Sequence, residues 1–170
     1  MARGAPFHDI VENIDIGGPS MVRAAAKNFA HVGVVVDPAD YETVLQEIRQ
    51  SGALADATRF ELARKAFRHT ARYDGAISNY LDALDGEKKP GRFGRTLSLQ
   101  FSKLQDLRYG ENPHQSAAFY SSGENRGPSI ARAKQFQGKE LSYNNILDAD
   151  AALRVILEFS DTATVAIKHN

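Results

Sequence analysis

No cysteine stands anywhere in the chain, which excludes a disulfide framework, a zinc–thiolate site and a thiol nucleophile. Charge of one sign is not in excess either. Twenty-one Lys and Arg balance twenty-one Asp and Glu, so no basic field points to nucleic acid or to an anionic membrane surface. No apolar run approaches the ~20 residues that cross a bilayer. The opening Met-Ala-Arg-Gly-Ala-Pro-Phe-His carries no apolar signal region, so secretion is not expected. Internal repeats and low-complexity tracts are missing too. A soluble, cytoplasmic protein of one or two compact units is the expectation, with 42% hydrophobic content to build a core.

What is present gathers first in Leu107-Arg-Tyr-Gly-Glu-Asn-Pro-His-Gln115. Gly110 and Pro113 forbid a regular helix through it, so a shaped loop is expected. Arg108 offers a planar fork of donors suited to a phosphate or carboxylate, and Tyr109 a flat face with a hydroxyl at its tip. Two readings stand on these residues alone: a ligand-binding loop, or a structural turn whose Arg108 and His114 satisfy nearby carbonyls.

Ahead of it, Val11, Ile14 and Ile16 lead into Gly17-Gly18, and Pro19 stands where a helix is expected to begin. Ser20 to Asn28 reads as an alanine-rich helix with Arg23 and Lys27 four apart. A glycine pair before a helix aims backbone donors at an anion; the alternative is an ordinary junction with two solvated cations. Val32-Gly-Val-Val-Val36 reads as a buried strand of a parallel sheet. Asp37 then caps a helix with Pro38 at its first position, Tyr41, Val44, Leu45 and Ile48 as its apolar stripe, and Gly52 as its stop.

Thr58-Arg-Phe-Glu61 has the pattern of a capping box before a longer helix, in which Phe60, Ala63, Phe67 and Thr70 read as core. His69, Arg72, Tyr73 and Asp74 invite a catalytic reading, but a histidine and an aspartate five apart do not share a helix face. Helix continues from Ala76 to Leu84, and Asp85 to Gly91 is a charged turn. From Thr96 the period becomes two, with Leu97, Leu99 and Phe101 alternating against polar residues. Ala117 to Tyr120 is a short strand, and Ser121 to Ser129 a polar loop. Asn144 or Asn145 is expected to cap a helix running to Phe159, with Val155, Ile156 and Phe159 as core. Ala163 to Ile167 reads as a strand ending in Lys168-His169, either a frayed terminus or a reactive pair where α/β proteins place such groups.

Taken in order, Glu12-Asn-Ile-Asp-Ile-Gly-Gly18, Arg23-Ala-Ala-Ala-Lys-Asn28, Lys65-Ala-Phe-Arg-His-Thr-Ala-Arg-Tyr-Asp74, Leu107 to Gln115, Gly138-Lys-Glu-Leu-Ser-Tyr-Asn-Asn145 and Ile167-Lys-His-Asn170 form a series. It closely resembles the bifunctional purine-biosynthesis family that combines AICAR transformylase with IMP cyclohydrolase. The resemblance covers nearly all 170 residues and only the middle of that family's chain, so an internal fragment is expected. It implies an α/β architecture: residues 1–104 as the C-terminal part of a methylglyoxal-synthase-like cyclohydrolase domain, and 105–170 as the start of a cytidine-deaminase-like transformylase domain.

By the same resemblance Asp15 and Ile16 would line the cyclohydrolase nucleotide pocket and Lys27 would be its catalytic lysine. Arg108 and Tyr109 would bind the ribonucleotide of the transformylase. His169 would take the proton of the attacking amine, and Lys168 would stabilise the oxyanion. The resemblance further implies 10-formyltetrahydrofolate as co-substrate, no metal and no cofactor for ring closure, and AICAR, FAICAR and IMP as ligands. A homodimer is implied too, with no nucleic-acid or membrane partner. The isolated chain is expected to be inactive. The competing expectation is a non-catalytic nucleotide-binding or subunit-interaction remnant.

Overall fold

The computed structural model describes residues 4–123 and 127–168. Their elements form a mixed α/β set that divides into two compact units, within Met1–Ser98 and Leu99–Asn170. The expected functional junction at 104/105 falls inside a strand, whereas the units divide between Ser98 and Leu99.

The first unit is helical: α1 (Phe7–Glu12), α2 (Gly17–Lys27), a 3-10 turn (Pro38–Asp40), α3 (Tyr41–Ser51) and α4 (Asp56–Asp82). Its centre is small. Ala26 of α2 packs with Ala63 and Ala66 of α4, all three buried, and Val22, Phe29, Val34 and Val36 fill in around them. Side chains of one methyl let two helices approach closely, but each contributes only about 0.8 kcal/mol of transfer energy. Phe29 and Phe60 add a tilted ring contact at 5.2 Å. The buried Thr70 hydroxyl donates back to the Ala66 carbonyl at 3.2 Å.

Local punctuation read from the sequence ends α3 but does not start it. The Asp37 carboxylate accepts from the Ala39 N–H at 3.0 Å with Pro38 behind it, yet this caps the 3-10 turn; α3 itself follows Asp40, which makes no side-chain cap. Gly52 ends the helix at a φ of +73°, where a side chain is strained. Its stripe is only partly covered: Val44 is half-buried, but Tyr41, Leu45 and Ile48 are exposed.

Elsewhere the structure departs from expectation where a distant partner decides. Gly17 and Gly18 are the first two residues of α2, not a loop before it, so Pro19 is third. Thr58 is no cap: α4 starts earlier, at Asp56, and Glu47 of α3 serves its N-terminus. The Glu47 carboxylate accepts from the Ala55 N–H at 3.0 Å and from the Thr58 hydroxyl. Val32–Val36 forms no strand among the described residues; Val34 and Val36 pack against the helical core instead. Thr96–Phe101 is likewise no strand. There α4 replaces the missing partner: Asn79 exchanges two hydrogen bonds with the Ser98 backbone, at 2.7 and 2.8 Å, and the Asp82 carboxylate accepts from the Thr96 N–H and hydroxyl.

The second unit holds β1 (Ser102–Leu107) and β2 (Ala117–Ser121), paired antiparallel with an irregularity between Lys103 and Gln105. A 3-10 turn (Ile130–Arg132) and α5 (Tyr143–Ile156) follow. The cap of α5 is Ser142, not Asn144 or Asn145, and Asn145 is its reciprocal partner in a capping box. The helix stops at Ile156, and Val155 and Phe159 are exposed rather than core. Ala163–Ile167 is not a strand among the described residues, because no neighbouring strand pairs with it.

Candidate functional site

The strand pair exists to carry the loop between its strands. Gly110 N–H donates to the Gln115 carbonyl at 3.0 Å, Gln115 N–H to the Asn112 carbonyl at 3.0 Å, and Asn112 N–H to the Gln115 side chain at 2.8 Å. Gly110 is buried, and a Cβ there would meet the Gln115 Cβ at 2.9 Å. The start of α5 braces the same loop. Arg108 N–H donates to the Leu141 carbonyl at 3.3 Å, Tyr143 N–H to the Tyr109 carbonyl at 3.2 Å, and Asn144 Nδ2 to the Glu111 carbonyl at 3.2 Å.

That brace presents Arg108 and Tyr109 as a unit. The Arg108 guanidinium carbon lies 4.9 Å from the centre of the Tyr109 ring, and its Nη2 donates to the Tyr109 hydroxyl at 3.3 Å. The buried Ser142 hydroxyl bonds the Tyr109 hydroxyl and holds its pKa below the ordinary value of 10.0, with Arg108 adding to the effect. An exposed guanidinium fork over a half-buried ring suits a ligand with an anionic group and a flat or hydroxylated part. Beside it a groove of about 330 Å³ opens between β2, the 3-10 turn and α5, lined by Phe119, Ile130, Tyr143, Ile146, Leu147 and Asp150.

The other residues singled out by sequence fall at two further places. In the first unit the Asp15 Oδ1 accepts from the Gly18 N–H at 3.0 Å, so the chain's own carboxylate takes one of the donors an anion would use. Ile16 is the residue before α2, its carbonyl accepting from the Ser20 N–H and hydroxyl and its side chain 71% exposed. Lys27 is the last residue of α2 and is exposed, about 15 Å along the helix from its first residue, Gly17, at 1.5 Å per residue. In the second unit Lys168 is exposed after Ala163–Ile167. His169 lies outside the described residues.

Two residues enter that spacing alone did not single out. Tyr73, set aside with His69, Arg72 and Asp74, accepts the Asp15 N–H on its hydroxyl at 2.8 Å across 58 residues of sequence. No local signal announces it. Ser142 was legible in part, since Ser followed three residues later by Asn is a weak form of the capping box. Among the described residues no group of His, Asp and Glu is placed to hold a metal, and no helix is long and apolar enough to cross a membrane.

A helical unit with a carboxylate fixed at a helix start, and a strand–loop–helix unit presenting a stacked Arg–Tyr pair, together make a mixed α/β protein. The chain belongs to the AICARFT/IMPCHase bienzyme family, whose family model matches residues 25–170. It is similar to proteins named bifunctional purine biosynthesis protein PurH. The Anaeromyxobacter sp. (strain Fw109-5) protein is 60% identical over all of this chain, and that of Halalkalibacterium halodurans 59% over 97% of it. The Bacillus cereus (strain AH820) protein is 56% identical over 96%. The chain spans about a third of the length of these curated relatives.

Proposed function

We propose that this chain is a portion of a bifunctional enzyme of purine biosynthesis that formylates AICAR and closes the product, FAICAR, to IMP. The observation that carries this is the match itself: 56–60% identity maintained over nearly every residue of the chain to proteins bearing that name. The first unit supplies part of a methylglyoxal-synthase-like cyclohydrolase domain, and the second the start of a cytidine-deaminase-like transformylase domain. The junction lies near residues 98–105.

In ring closure an amide nitrogen attacks the formyl carbon, a proton moves to the oxygen, and water leaves. Asp15, with Ile16 beside it, holds the reacting amide, and the Lys27 ammonium supplies charge and a proton. A nucleotide that reaches along α2, about 15 Å from its first residue to its last, serves both. In formyl transfer the AICAR amine attacks the formyl carbon of 10-formyltetrahydrofolate, displacing tetrahydrofolate. His169 takes the amine proton, Lys168 stabilises the oxyanion, and Arg108 with Tyr109 holds the ribonucleotide. The folate-binding groups lie in the remainder of the enzyme, which works as a cytoplasmic homodimer.

Assaying both reactions in the intact bifunctional protein tests the division. Lys27→Ala removes ring closure by roughly a hundredfold or more and spares formyl transfer; His169→Ala does the reverse. Loss of both activities from either substitution, or of neither, overturns it. The alternative of a non-catalytic binding remnant would be favoured if the intact protein binds IMP and turns over nothing.

A further inference from the structure

The Asp15 carboxylate is exposed, yet it is held from two sides. Its Oδ1 accepts from the Gly18 N–H at 3.0 Å, and its own backbone N–H donates to the Tyr73 hydroxyl at 2.8 Å. Gly18 leaves room for this: a Cβ there would lie 2.2 Å from Asp15 Oδ2 and 3.1 Å from its Cγ. Tyr73 is half-buried on α4, the helix that packs against α2 through Ala26, Ala63 and Ala66. The anchor therefore belongs to the packed helix pair, while Asp15 sits on the connection between α1 and α2.

We infer that Tyr73 is a positioning residue for ring closure, fixing the backbone of Asp15 through its hydroxyl while Gly18 leaves space for and tethers the carboxylate. This rests on Asp15 belonging to the cyclohydrolase site. A hydroxyl bond to the main chain sets where the residue stands, and the Gly18 bond sets which way the carboxylate turns; Oδ2 is left to meet the substrate amide. Catalytic groups displaced by ~1 Å lose about a hundredfold in rate, so a remote hydroxyl has leverage on turnover that its own bond strength does not suggest.

The test uses the intact bifunctional protein and this chain side by side. Tyr73→Phe keeps the ring and its packing and removes the anchor. Expected is a roughly three- to tenfold fall in kcat for ring closure, with KM within about twofold and formyl transfer unchanged. Gly18→Ala puts a methyl 2.2 Å from the present position of Asp15 Oδ2, and a melt of the variant checks that the unit stays folded. Ring closure falls by roughly tenfold or more because the carboxylate is driven off its donor. In an Asp15→Ala background Tyr73→Phe adds no further loss. In this chain the Asp15 amide exchanges faster once Tyr73 is Phe.

An Asp15→Ala protein that loses ring closure beside a Tyr73→Phe protein that keeps it overturns the inference alone. Full additivity of the two substitutions does the same, as does unchanged exchange at the Asp15 amide. Undiminished ring closure in Asp15→Ala instead removes Asp15 from the site, and the inference falls with that reading.

Discussion

At the scale of single residues, the second unit turns on Gly110 and Ser142. Gly110 is buried where a methyl would press on the Gln115 Cβ at 2.9 Å and its Oε1 at 3.0 Å, the contact that closes the loop below Arg108 and Tyr109. Gly110→Ala is expected to destabilise the unit by about 1–3 kcal/mol, the range for overpacking, and to weaken nucleotide binding by the intact protein. A melt and a titration check both, and a variant with wild-type melting and affinity would remove Gly110 from this role. Ser142 joins cap and site, since one buried hydroxyl serves both the first turn of α5 and the Tyr109 hydroxyl. None of this follows from a turn propensity. It follows from which atoms the closed loop brings within reach.

Among elements, the junction of α3 and α4 depends on protonation. Glu47 is held below its ordinary 4.5, first by the Thr58 hydroxyl and then by the Ala55 N–H. Glu61 is lowered chiefly by its bond from Arg68, and Asp82 is held below 3.8 chiefly by the Thr96 N–H. Each folded pKa is depressed, so each contributes stability that is whole above the unfolded value and is lost as pH falls through the folded one. The first unit is therefore expected to lose stability from about pH 4.5 downward. Thermal melts between pH 7 and 3 show this, and Glu47→Gln flattens the slope because its side chain no longer titrates. A slope identical in the Gln variant would show that the α3–α4 tie is not the sensitive contact.

For the whole molecule, the telling quantity is surface. The chain exposes 13281 Å², whereas even two separate compact globules of half its mass each would expose only about 10,000 Å² together. Among the described residues the buried hydrophobics are Ala26, Leu62, Ala63 and Ala66 alone, while Ile16, Met21, Phe93, Leu97 and Phe136 are at least 71% exposed. Apolar surface on this scale favours association. The 170-residue chain is expected to associate with rising concentration in sedimentation experiments and to show neither ring closure nor formyl transfer by itself. A clean monomer at high concentration, or turnover by the chain alone, would contradict these expectations.

Much was legible in sequence because it is settled within a few residues of itself. The Asp37 cap with Pro38 behind it starts the 3-10 turn that leads into α3, and the left-handed Gly52 ends that helix, both through local backbone geometry. The motif series from Glu12 to Asn170 was enough to point to the family, since a chain's order of side chains is preserved whatever its packing. Tertiary structure decided the rest. A β-branched run such as Val32–Val36 has the propensity of a strand, but a strand exists only where another edge accepts its hydrogen bonds, and in this fold helices lie there instead. The start of α4 was set by a glutamate one helix away, and the hold on Asp15 by a tyrosine 58 residues distant. No local pattern encodes either contact, because each depends on where the folded backbone brings the partner.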